Sequence, residues 1–252
     1  MIIQKKTLKN VLFIDIETVP LTKNFHELPE SLQHLWKYKS KQFLTDKSNE
    51  VTEELAAQFY TEKAGIYADF GKIVCISVGY LSNEKSSRPQ LRIKTLQGKE
   101  VDILKAFNKM LKLHYNDLDN SFLCGHNIRE FHIPFICRRS MVHGLNLPRM
   151  LNISGKKPWE VKHLLDTMLL WRFGDFKNYT SLPLLAGALG ITLPSDDLEG
   201  DQIGKTYWEE NDIDRIIANC EDEVITVAKI AMRFAGKPLP KDEQIEIINS
   251  DS

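Results

Sequence analysis

VLFIDIETVP, residues 11–20, decides how the rest of the chain is read. An apolar run leads into Asp15 and Glu17, and Pro20 closes it. That apolar, β-branched composition predicts a buried strand. Side chains alternate along a strand, so Asp15 and Glu17 leave it on one face and Ile16 on the other. Two like charges so close repel and raise each other's pKa unless a cation lies between them. Oxygen ligands of this kind suit Mg²⁺ or Mn²⁺. The same D-x-E spacing also fits a half-solvated strand end with two exposed acids, so its meaning depends on what surrounds it.

Residues 21–70 are charged, with helical spacing in HELPESLQHLWKY (26–38) and VTEELAAQFYTEKA (51–64). They read as a helical insertion after the first strand. KIVCISVGYLS (72–82) and LRIKTL (91–96) are strands, and the turn-rich NEKSSRP (83–89) between them predicts a hairpin. GKEVDILKAFNKMLKLHY (98–115) is an amphipathic helix with Val101, Leu104, Phe107, Met110 and Leu111 on one stripe. SFLCGHN (121–127) is a short strand running into a turn. IPFICRRSMVHG (133–144) is a helix with Pro134 in its first turn and Gly144 as its stop. VKHLLDTMLLW carries a strand into a helix near Asp166, SLPLLAGALG is a short helix, and residues 212–234 form a long one. Strands including a hairpin, followed by alternating helix and strand, give an α/β fold with a mixed sheet. The boundaries are one domain over 1–236, containing the 21–70 insertion, and a polar, frayed tail over 237–252.

Composition excludes several classes. The 252 residues are 42% hydrophobic and 27% charged, enough for a sizeable core. A net charge of −1 supplies no global field toward nucleic acid or an anionic membrane, so a nucleic-acid partner needs local contacts. No apolar run reaches the roughly 18 residues of a membrane span. Cys75, Cys124, Cys137 and Cys220 lie in apolar segments without a C-x-x-C pair, as in a cytoplasmic protein with reduced thiols.

The long helix carries a stripe of Ile213, Ile216, Ile217, Cys220, Val224, Val227, Ala228 and Ala231. At about 100° per residue, Asp222 falls opposite that stripe in solvent, and Glu223 falls at one edge. Asn219 lies one turn before Glu223 on the same side, and Glu221 sits at the other edge. Glu223 is therefore the helix acid expected near Asp15 and Glu17, although an ordinary boundary glutamate has the same pattern. In LCGHNIREFHIPFICRR, His126 and Asn127 occupy a strand-end turn and His132 precedes a helix start. A helix N-terminus disfavours imidazolium, which leaves His132 neutral and able to bind a metal or a neighbouring backbone group.

Together, IDIETVP, GHNIREFHIPFICRR and NCEDEVITVAKI resemble the three exonuclease motifs of the DEDD superfamily, and most closely the predicted 3′–5′ exonucleases related to the proofreading domain of family B DNA polymerases. KIVCISVGY, KPWEVKHLLDTM and NYTSLPLLAGALGI extend the resemblance over residues 10 to 235. It implies a ribonuclease H-like fold: a five-stranded mixed sheet with its second strand antiparallel, flanked by helices. It also implies phosphodiester hydrolysis at 3′ ends of single-stranded DNA or RNA with two divalent ions held by four acids. Carried over by position, the metal shell is Asp15, Glu17, His132 and Glu223. His132 and Glu223 both replace Asp, which removes one negative charge, puts the second ion in question and shifts preference from Mg²⁺ toward Mn²⁺. Asn219 stands where one branch has Tyr. It can position water but cannot act as a general base. Asp166 is a supporting acid at a strand-to-helix junction.

Gripping a few nucleotides of single strand takes phosphate contacts and aromatic rings. The candidates are Thr18, His126, Asn127, Lys177, Asn178 and Tyr179, with Arg138, Arg139, Lys156 and Lys157 in nearby segments. The basic-aromatic LWKYKSKQF (35–43) is a further candidate strip. The rival reading is a nucleic-acid-binding module of the same fold with impaired catalysis.

Overall fold

The computed structural model describes residue 3 and residues 8–82, 90–175, 177, 179–193, 198, 200 and 202–248. The chain begins with β1 (Val11–Pro20), followed by α1 (Glu30–Ser40) and α2 (Glu53–Lys63) of the insertion. β2 (Gly71–Ser82), β3 (Gln90–Gln97), α3 (Glu100–His114), β4 (Phe122–Gly125) and α4 (Ile133–Val142) come next. Then follow β5 (Leu164–Asp166), α5 (Thr167–Arg172), α6 (Leu182–Ala188), the single turn α7 (Ile203–Lys205), α8 (Ile213–Phe234) and β6 (Ile245–Ile248).

These strands form one mixed sheet in the order β5-β4-β1-β2-β3-β6. β1 runs antiparallel to β2 and parallel to β4, which makes it central. Its residues are buried on both faces except half-buried Thr18, as the apolar run requires. Val11 and Phe13 share a core with Val224, Val227, Ala228 and Ala231 of α8. Leu12, Ile14 and Ile16 pack with α3 and α4 on the opposite face. Alternation therefore turns Asp15 and Glu17 toward α8. Glu17 pairs with Cys75 while Thr18 pairs with Ile73, so β2 carries one extra residue, Val74, at the carboxylate end of β1. Such a bulge bends the sheet where a site needs its side chains re-aimed.

Four expectations change. The sheet has six strands among the described residues, because Ile245–Ile248 of the supposedly frayed tail pairs parallel with β3 over Leu91–Lys94. A polar tail orders here because the β3 edge offers unpaired backbone groups. The buried stripe of α3 includes Ile103 and Asn108, while Val101 and Met110 are only half-buried. Asp222 is half-buried, in a groove with Thr192, Lys229 and Pro240, because the chain after α8 folds back over it. The insertion has its own aromatic core of Phe25, Trp36, Tyr60 and Phe70. Trp36, inside LWKYKSKQF, is thus fully buried, with its indole N–H donated to the Ala56 carbonyl at 2.8 Å. The expected turn at 83–89 lies outside the described residues. Among the described residues, no helix is long and apolar enough to cross a membrane.

Candidate active site

β1 and α8 bring together residues some two hundred positions apart. The Cys220 thiol lies 3.3 Å from Asp15 Oδ2, and the Asn219 side-chain amide donates to Glu17 Oε1 at 2.7 Å. One ligand atom each from Asp15, Glu17 and Cys220 lies within 4.8 Å of the others. Glu223, half-buried one turn beyond Asn219, is close enough for its charge to act on Asp15. Burial raises the Asp15 pKa well above 3.8, and Glu223, Cys220 and Glu17 push it further the same way. The cluster is short of positive charge, which is the condition a hard cation relieves.

The other edge of α8 faces β2 and β3. Ser77 and Thr95 share a hydrogen bond at 2.8 Å, and the Thr95 hydroxyl donates to Glu221 Oε1 at 2.6 Å. Glu221 is thereby tied to the sheet on the far side of α8 from Glu223, as the helical count implies.

The β4 end supplies the second group. Asn127 has a left-handed backbone (φ 61°), and a π-turn over Ile128–His132 leads into α4. Gly125 precedes it, where a Cβ would stand 3.0 Å from Ile14 O and 3.2 Å from His132 Nδ1. His132 Nε2 lies 3.2 Å from Asp15 Oδ1. Burial, with a smaller push from His126, lowers the His132 pKa to about 3. The neutral imidazole expected from a helix N-terminus is thus neutral chiefly because it is desolvated.

Asp166 fixes this turn. Its Oδ1 accepts the backbone N–H groups of Asn127 (3.1 Å), Met168 (3.0 Å) and Leu169 (3.3 Å), and Oδ2 accepts that of Arg129 (3.1 Å). It caps α5 and holds the β4 turn at once. The Arg129 guanidinium clasps the Leu164 carbonyl from the same turn.

Several expected roles shift. Both His126 ring nitrogens are engaged, Nε2–H donating to the Thr180 carbonyl and Nδ1 meeting the Thr167 hydroxyl, each at 2.9 Å. His126 therefore ties down the Tyr179–Thr180 loop and leaves no ring nitrogen for substrate. Asn219 is also occupied at both ends, since its Oδ1 accepts the Leu198 N–H at 3.0 Å. It holds Glu17, and beyond these two bonds its amide has one further N–H and one further lone pair. Arg139 is buried on Glu100 (2.7 Å) and donates to the Ala68 carbonyl, which removes it from the substrate candidates. The Tyr179 residue is 63% exposed, and partial burial together with Glu223 and Asp166 raises its phenol pKa. Lys177 is exposed, and Asn178 lies outside the described residues. Thr18 and Glu17 line a cavity of about 160 Å³ with Ile66, Phe131 and Ile203. The signal for Cys220 was its place in the α8 stripe, which gave its burial but not its contact with Asp15.

Residues 66–236 match the sequence model of a family described as predicted 3′-5′ exonucleases related to the exonuclease domain of PolB. The match contains His132 and Glu223 and begins after β1. The fold is similar to the family B DNA polymerase of the hyperthermophilic archaeon Pyrobaculum calidifontis, at TM-score 0.55 and 14% identity. That similarity covers 88% of this chain and 24% of the polymerase. At this identity the likeness shows the fold, which is that of the polymerase exonuclease, ribonuclease H-like. No curated protein matches the sequence.

Proposed function

Because the chain belongs to the family of predicted 3′–5′ exonucleases related to the exonuclease domain of PolB, we propose that it releases nucleotides from the 3′ ends of single-stranded DNA, and of RNA, by hydrolysis dependent on a divalent metal. The observation that carries this reading is the buried pair Asp15 and Glu17, with Glu223 of α8 near enough for its charge to act on Asp15 and, of the described residues, no cation among them. Mg²⁺ or Mn²⁺ suits carboxylate donors, and Asp15, Glu17 and Glu223 would hold it. When bound, such an ion supplies Lewis-acid stabilisation of phosphoryl oxygens and a more acidic water.

The chain's own residues bind and orient. Asn219 fixes the rotamer of Glu17, while His132 and Cys220 fix that of Asp15. Tyr179 offers an exposed ring for a base, and Lys177 a phosphate contact. Thr18, next to Glu17 in β1, and Asn127, in the turn after β4, are the further candidates for contact with a terminal nucleotide. The free thiols fit a reducing, cytoplasmic setting.

A second reading has one observation in its favour. Asn219, where the resembling branch carries Tyr, already donates to Glu17 and accepts from the Leu198 N–H, and an amide cannot serve as a general base. This favours a binding module with impaired catalysis. A 5′-labelled single strand separates the two. We expect a ladder shortening from the 3′ end with Mn²⁺ or Mg²⁺ and none with chelator. An intact strand with either ion, still retarded by the protein in a gel, establishes the binding module instead.

A further inference from the structure

We infer that the carboxylate cluster takes one divalent ion and not two, because His132 is committed to holding Asp15. The inference rests on the exonuclease reading above and sharpens it. The resemblance implies two ions held by four acids, one of them at the position of His132. Here that position donates a hydrogen bond. With a cation bound, Asp15 is ionised and Oδ1 accepts from His132 Nε2, 3.2 Å away, so Nε2 carries the proton.

The other ring nitrogen cannot substitute. Nδ1 is buried without a hydrogen-bond partner and abuts Gly125, where a Cβ would come within 3.2 Å of it. The second oxygen of Asp15 meets the Cys220 thiol at 3.3 Å. Each Asp15 oxygen therefore already has a neutral neighbour on one of its lone pairs. Among the described residues, the group whose ligand atoms all lie within 4.8 Å is Asp15, Glu17 and Cys220, and His132 is not in it.

His132 is thus a positioning residue, and the His-for-Asp replacement changes the ion count and not merely the ion preference.

The test counts Mn²⁺ by electron paramagnetic resonance on the intact protein, independently of turnover. Wild type is expected to saturate at one Mn²⁺ per chain with an isolated six-line spectrum. His132→Asp is expected to take two, with the exchange coupling of ions about 4 Å apart. His132→Asn, which keeps a neutral donor, should stay at one. Two coupled ions in wild type or in His132→Asn overturn the inference, as does one ion in a folded His132→Asp. If His132→Asp does not fold, the other two proteins still decide. No bound ion in wild type sinks the exonuclease reading itself, whereas two ions leave that reading standing.

Discussion

Replacing Asp15 by Asn is expected to cut nucleotide release by about three orders of magnitude while raising the melting temperature of the metal-free protein at neutral pH. The two effects have one cause. Burial and the charges of Glu223 and Glu17 hold the Asp15 pKa above its ordinary 3.8. A carboxyl group shifted upward contributes stability below that ordinary value and loses it as pH rises through the folded value. At neutral pH the metal-free fold has therefore lost that contribution, and a nearly isosteric amide, which does not titrate, escapes the loss. Melting curves with chelator and with Mn²⁺ check this. At an ion concentration of about 100 times Kd, binding stabilises wild type by about 2.7 kcal/mol, or roughly 5–10 °C for a chain of this size. Asp15→Asn should start higher and show no such rise. A variant that melts below wild type in chelator, or responds fully to Mn²⁺, contradicts the placement of Asp15 at the centre of the site.

Asp166→Ala should have the opposite signature, a large loss of stability with Mn²⁺ binding intact in the protein that remains folded. Asp166 is 1% exposed and accepts four backbone N–H groups from two segments. Alanine strands all four and removes the cap of α5. Each buried unsatisfied donor costs about 1–3 kcal/mol, and a lost cap about 1. Relaxation keeps such losses from adding, so we expect about 3–5 kcal/mol in total and a melting temperature lower by roughly 10 °C. Asp166→Asn, which retains an acceptor oxygen, should lose about half as much. A variant that kept its melting temperature but lost Mn²⁺ binding would make Asp166 a ligand instead of a support.

Much of the site was legible because its two main elements are strongly periodic. The apolar run before Asp15 demanded a central strand, and alternation put both carboxylates on one face. The α8 stripe then placed Glu223 and Asn219 on one side and Glu221 on the other. What the sequence left unread were the partners. Periodicity fixed that Cys220 is buried but not that its thiol meets Asp15. It put Asp222 in solvent because nothing local reveals that the chain after Phe234 returns over that face. The short Ile245–Ile248 strand has too few residues to outweigh its polar neighbours and orders only by pairing with β3. His126 and Arg139 look like ligand-binding residues in isolation. Their donors are spent on Thr180 and Glu100, contacts that depend on segments 54 and 39 residues away. Trp36 was misplaced for the same reason, since its cover comes from α2.

Anomalous scattering from a Mn²⁺-soaked crystal tests the central claim most directly. The account predicts a peak enclosed by the carboxylates of Asp15, Glu17 and Glu223, with His132 still in contact with Asp15. A soaked crystal with no peak there, or with Glu223 turned away from a peak seated elsewhere, would contradict it.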